Sequence, residues 1–216
     1  MFSIPLSLIT FHLVLIAVIV AFVVYLYHKV LTLQKLLPYK SSSKKTKILS
    51  VVAGENLDMI EIEKSLYSTD ITYNLLPYSS VSQDSFLSEL SKDITVLDIS
   101  SHGLNGAFRL GNITIPINWL AQALLVNNTV ECVLLLYCKS YLDISAISTL
   151  GKCVVSLVDE VTDSSCVIFS RQFYFYLNKH YTYKEAFEVA RLSLPVSDFP
   201  KFIFSEGEKL EKTKHH

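Results

Sequence analysis

Apolar residues fall along this chain in two patterns. Short runs that are apolar at nearly every position alternate with longer stretches whose apolar residues recur every three or four positions. "KILSVVA" precedes "NLDMIEIEKSLY", "ITYNLLP" precedes "QDSFLSELS", "ITVLDIS" stands next, "INWLAQALLV" precedes "ECVLLLYC", and "CVVSLVD" precedes "SSCVIFSRQFYFYL". The first pattern suits strands covered on both faces and the second suits amphipathic helices. Their alternation predicts an α/β fold with a mostly parallel sheet of about six strands flanked by helices. "TVLDIS", "CVLLLY" and "CVVSLV" are expected to be its central strands. "AFRLGNITIPI", two extended pieces around a Gly-Asn turn, reads as a hairpin inserted at the sheet edge. "YTYKEAFEVARLSL" reads as a closing helix and "KFIFSEG" as a last short strand.

The N-terminal pattern is different. Residues 1–27 carry no charge, and "PLSLITFHLVLIAVIVAFVVYLY" supplies 23 mostly apolar positions. As a helix this stretch is roughly 34 Å long, against a hydrocarbon core of about 30 Å, so residues 1–28 are expected to form one transmembrane helix. A cleaved signal peptide would need a basic start, a shorter apolar run and a small-residue cleavage site, none of which stands here. His12 inside the span reads as a neutral imidazole satisfied by a neighbour. Lys29, Lys35, Lys40, Lys44, Lys45 and Lys47 follow, and no acidic residue precedes Glu55. The positive-inside rule then places the C-terminal part in the cytoplasm, anchored to the inner membrane by a single pass. Residues 29–45, with Pro38 and a Ser/Lys run, form the expected basic tether, and 46–216 the globular domain.

Without the five lysines of residues 1–45 the chain has 14 basic against 20 acidic residues, a net charge of −6. That balance argues against a nucleic-acid partner. The four cysteines, Cys132, Cys138, Cys153 and Cys166, show neither CxxC pairing nor a histidine at ligand spacing, so neither a zinc site nor a disulfide framework is indicated. Cys132, Cys153 and Cys166 lie within strand or helix patterns and read as core thiols.

Chemistry concentrates at the ends of two apolar runs. "VLDISSHG" ends at His102 and "ECVLLLYCKS" at Cys138. In open α/β sheets reactive groups collect beyond the carboxyl ends of the strands, so these side chains are expected at one sheet edge. An imidazole beside a thiol activates it, and the start of the following helix would help. Gly103 allows close backbone approach, and its N–H with that of Cys138 would serve an oxyanion. Asp143, Asp159, Glu160 and Asp163 follow strand ends and read as solvated charges or caps, Asp163 as the cap of "SSCVIF". Phe169, Phe173, Tyr176 and Leu177 share a helical face and read as sheet packing, with His180 exposed in the turn beyond.

The order strand, "SHG", hairpin, helix, strand, "YCKS" resembles the caspase-like clan of cysteine peptidases. The segments "SLVDEVTDSSCVIFSRQFYFYL" and "EAFEVARLSL" resemble its CHAT branch, over about residues 46 to 207. The resemblance implies a caspase-like fold and a cysteine endopeptidase. It makes His102 the general base, Cys138 the nucleophile and Gly103 an oxyanion donor, and marks Asp163 as a substrate-binding residue. It implies no metal or cofactor, a protein or peptide substrate, and a role in bacterial defence or regulated cell death. An activating sensor protein or a second copy of the chain would switch the enzyme on. Two positions depart from the family: Val158 stands where many CHAT domains carry Trp, and Leu136 where relatives that cleave after basic residues carry Asp. The alternative is a catalytically silent caspase fold serving as a membrane adaptor or scaffold. A small-molecule hydrolase is disfavoured, since there is no GxSxG.

Overall fold

The structure, a computed structural model, describes residues 46–53, 71–104 and 106–207. The expected membrane span, the basic tether and the helix expected over 56–67 lie outside the described residues. The chain divides into two units, 1–40 and 41–216, and every described residue belongs to the second. No helix among the described residues is long and apolar enough to cross a membrane.

The uniformly apolar runs become the sheet. Strands β1 (Thr46–Val52), β2 (Ile71–Leu76), β3 (Val96–Ser100), β7 (Cys132–Leu136) and β8 (Cys153–Leu157) run parallel, and β9 (Phe202–Ser205) joins antiparallel at one edge. The spatial order is β2-β1-β3-β7-β8-β9. Every residue of β3 and β7 is buried, as central strands covered on both sides must be.

The helical stretches cover both faces. One face of the sheet, with Ile48, Val96, Leu134 and Val155, packs against α4 (Asp163–Asn178) and α5 (Tyr183–Leu192) through Phe169, Phe173, Leu177, Phe187 and Ala190. Phe169 stacks on Phe202 of β9 with ring centroids 4.7 Å apart. Complete burial of such a ring contributes about 2–3 kcal/mol. The fully buried tyrosine on this helix is Tyr174, while Tyr176 is only half-buried. The opposite face, with Leu49, Leu97, Val133 and Val154, packs against α1 (Gln83–Leu90), α2 (Ile117–Val126) and α3 (Ile144–Ser148).

Helix starts follow cap chemistry. Ser82 and Thr182 form capping boxes with Ser85 and Glu185. The cap of α4 is Thr162, whose hydroxyl accepts the Ser165 N–H, so Asp163 is the first helical residue instead of the expected cap.

The hairpin departs from its expected place. β4 (Gly103–Leu104), β5 (Ala107–Leu110) and β6 (Ile113–Pro116) form a separate three-stranded antiparallel sheet, and none of them extends the central sheet's edge. Gly111 turns β5 into β6 at φ +62°, and its N–H donates to Ala53 O at 3.1 Å. That bond ties the small sheet to the end of β1.

Candidate active site

β3 and β7 are adjacent and parallel, and their last register pair is Ser100 with Leu136. His102 and Cys138 each stand two residues beyond that pair, so they emerge at the same edge of the sheet. The Ser101 N–H still reaches Leu136 O at 3.4 Å, carrying the ladder one residue further. Both residues are exposed and both line one cavity of about 60 Å³.

The segment holding His102 is fixed by its backbone. Ser101 Oγ donates to Arg109 O at 2.6 Å, and the Arg109 N–H donates to His102 O at 3.2 Å. Gly103 lies directly over the nucleophile loop. A Cβ built there would stand 2.4 Å from Cys138 O and 2.9 Å from Tyr137 Cδ2. Glycine is therefore required for close approach of two backbones, with no left-handed φ involved.

The Cys138 loop is a tight turn closed by the Ser140 N–H on Tyr137 O at 3.2 Å. Lys139 takes the left-handed conformation, φ 58° and ψ 24°, which strains a non-glycine residue by about 1 kcal/mol. Ser140 anchors one flank: its buried hydroxyl donates to Leu135 O at 2.7 Å and accepts the Leu157 N–H at 2.8 Å. Tyr137 anchors the other, donating its O–H to Asp143 Oδ2 at 2.8 Å. Its ring stacks on Phe108 of β5 at 5.9 Å.

After Cys138 comes only a short 3-10 turn, Ser140–Asp143, leading into the five residues of α3. The helix start expected to lower the thiol's pKa is thus one turn deep. The Cys138 thiol is instead pushed up, first by partial burial and then by Glu160, with Asp159 and Asp163 adding to it; its own backbone N–H opposes them.

A second cavity, of about 290 Å³, opens on the hairpin side of Cys138 and is walled by Gly103, Leu104, Tyr137, Lys139, Asp143 and Glu160. Asp163 lines the smaller cavity with Leu136, Leu157 and Cys166. Of the four acidic residues after strand ends, Asp143 is buried, and burial raises its carboxyl while the Tyr137 hydrogen bond opposes the rise. His180 is half-buried in a left-handed turn at φ 62°. Cys132 and Cys166 are buried and Cys153 half-buried, all as free thiols. No cluster of three metal-ligating side chains stands among the described residues.

Two features escaped the sequence reading. Tyr137 was hidden as one more apolar position before the cysteine. Asp98, at the centre of β3, is fully buried and accepts a hydrogen bond from the Tyr174 hydroxyl of α4. Burial pushes its carboxyl up to about 7, against the pull of Tyr174 and then Ser170. A single carboxylate inside "TVLDIS" was the available signal.

No protein-family model matches the chain, and no curated protein sequence matches it. Among solved structures the chain is similar to the Arg-specific cysteine proteinase gingipain R, with a TM-score of 0.54 at 8% identity. The match covers 74% of this chain and 46% of that one. At this identity the likeness establishes the fold, a caspase-like α/β fold with a mostly parallel six-stranded sheet flanked by helices.

Proposed function

We propose that this protein is a caspase-like cysteine endopeptidase of the CHAT type, held at the cytoplasmic membrane by residues 1–28. The observation that carries the reading is the equal offset of His102 and Cys138 beyond the Ser100–Leu136 pair, with both residues lining one cavity. In the proposed cycle His102 takes the thiol proton as the Cys138 sulfur adds to a peptide carbonyl. The N–H groups of Gly103 and Cys138 receive the oxyanion. His102 then protonates the departing amine, and water, deprotonated by His102, cleaves the thioester to release the acid and restore the thiol. The chemistry requires only the protein and water.

Asp163 on the smaller cavity supports a side-chain pocket that accepts a hydrogen-bond donor, in place of the carboxylate that Leu136 does not supply. The acidic surroundings of Cys138 support a resting enzyme, since a protonated thiol is a poor nucleophile. Activation by a sensor protein or by a second copy would then act by reordering the loops that carry Cys138, Asp159 and Glu160, in a defence or cell-death response. The same observation favours the second reading, a silent caspase-fold scaffold.

The deciding experiment is peptide-library cleavage and thiol-probe labelling of the full chain, alone and after forced dimerisation, with Cys138→Ala and His102→Ala as controls. Cleavage that appears on clustering and vanishes in both variants supports the peptidase. An intact fold without Cys138-dependent cleavage under any condition rejects the peptidase and favours the scaffold. For the anchor, a reporter fused after His216 should be protected from external protease in intact cells; digestion of the reporter reverses the topology.

A further inference from the structure

Tyr137 touches both halves of the candidate site. Its ring lies against Gly103, the residue after His102, and stacks on Phe108 of the hairpin that follows. Its hydroxyl is tied to Asp143, which closes the 3-10 turn after Cys138. Its backbone is the link between β7 and the nucleophile, and its carbonyl accepts the Ser140 N–H that closes the turn. One buried side chain thus spans the His102 segment and the Cys138 segment, with its free end pinned.

The ring is packed in the core, and the hydroxyl bond adds direction to that packing. Phe108 and Gly103 contact it through dispersion alone, which has little directional preference, whereas the hydroxyl bond sets its tilt and depth. Lys139 sits in a strained left-handed conformation one residue past Cys138, and the contacts on the turn's two flanks brace it. Ser140 fixes one flank to β7 and β8. Tyr137 with Asp143 fixes the other.

We propose that Tyr137, held by Asp143, is the positioning residue that sets His102 against Cys138; the inference rests on the dyad read above. Neither Tyr137 nor Asp143 is a catalytic residue. Their work is to keep two loops in one register, and displacements on the order of 1 Å at a reacting pair lower rates by up to about a hundredfold.

The test measures alkylation of Cys138 by iodoacetamide across pH in the full chain, a readout that any exposed thiol provides whether or not a peptide is cleaved. Wild type, Tyr137→Phe, Asp143→Leu, Asp143→Asn and His102→Ala are compared, with circular dichroism reporting the fold. Tyr137→Phe keeps the ring and loses the bond. Asp143→Asn keeps an oxygen that accepts the Tyr137 O–H, and Asp143→Leu does not. Expected is a His102-dependent inflection in wild type, retained in Asp143→Asn with rates within about twofold, and lost in Tyr137→Phe and Asp143→Leu with neutral-pH rates down about tenfold. Where peptide cleavage is measurable, kcat falls in the latter pair while KM holds. If both folded variants follow the wild-type profile, the positioning role is overturned and the dyad stands. If His102→Ala leaves the wild-type profile unchanged, the dyad itself fails and the inference falls with it. A change of KM alone in Asp143→Asn would also overturn the proposal, by making Asp143 a substrate-binding group.

Discussion

Gly103 and Cys138 approach so closely that a single added methyl on the glycine would stand 2.4 Å from the cysteine's carbonyl oxygen. The segment carrying His102 therefore rests on the backbone of the segment carrying the thiol. Gly103→Ala should push the two apart, lowering stability by about 1–3 kcal/mol through overpacking and reducing Cys138-dependent chemistry more than stability alone explains. Thermal unfolding and thiol labelling of the same preparation check both parts.

Glu160 is the leading charge that raises the Cys138 thiol, after partial burial. Removing that charge in Glu160→Gln should lower the thiol's pKa, so that more thiolate forms at neutral pH. The alkylation inflection should move to lower pH, with faster labelling at pH 7. An unmoved inflection would mean that Glu160 does not contribute to the rise.

Asp98 couples stability to pH with a definite sign. Folded, it keeps its proton up to about 7; unfolded, it releases it near 3.8. Between those values the folded state binds the extra proton, so stability falls as pH rises through the window. The fall totals on the order of 4 kcal/mol and is complete above it. Asp98→Asn keeps an acceptor for Tyr174 and cannot ionise. Urea midpoints at pH 4 and pH 8 should differ less in the variant, which should be the more stable protein at pH 8.

Ser140→Ala removes the hydroxyl that joins Leu135 O to the Leu157 N–H. The buried groups left behind should lower stability by about 1–3 kcal/mol, read from chemical denaturation. Because the same hydroxyl braces the strained Lys139 turn, Cys138 labelling should lose its pH inflection in the folded variant.

Much of this protein is legible in one dimension. Runs such as "CVLLLY" and "CVVSLV" can be satisfied only where both sheet faces are covered, so the α/β class and the central strands follow from burial alone. Phe169, Phe173 and Leu177 recur at helical spacing because one face of α4 must meet the sheet. His102 and Cys138 stood out because polar reactive residues end apolar runs, and strand ends are where a parallel sheet opens to solvent.

The rest depended on contacts between residues far apart in the chain. The hairpin stands with β4 in its own sheet and is tied to Ala53 through Gly111, contacts that no local pattern encodes. Thr162 displaced Asp163 as cap because a hydroxyl one residue earlier reached the Ser165 N–H first. Tyr137 reads as one more apolar residue until its hydroxyl meets Asp143, and Asp98 as an interruption until Tyr174 covers it. The upward shift of the Cys138 thiol comes first from partial burial and then from Glu160, with Asp159 and Asp163 adding to it, all set by three-dimensional neighbours. Periodicity constrains which face a side chain takes, because backbone geometry repeats locally; partners across the fold are chosen by packing, which does not.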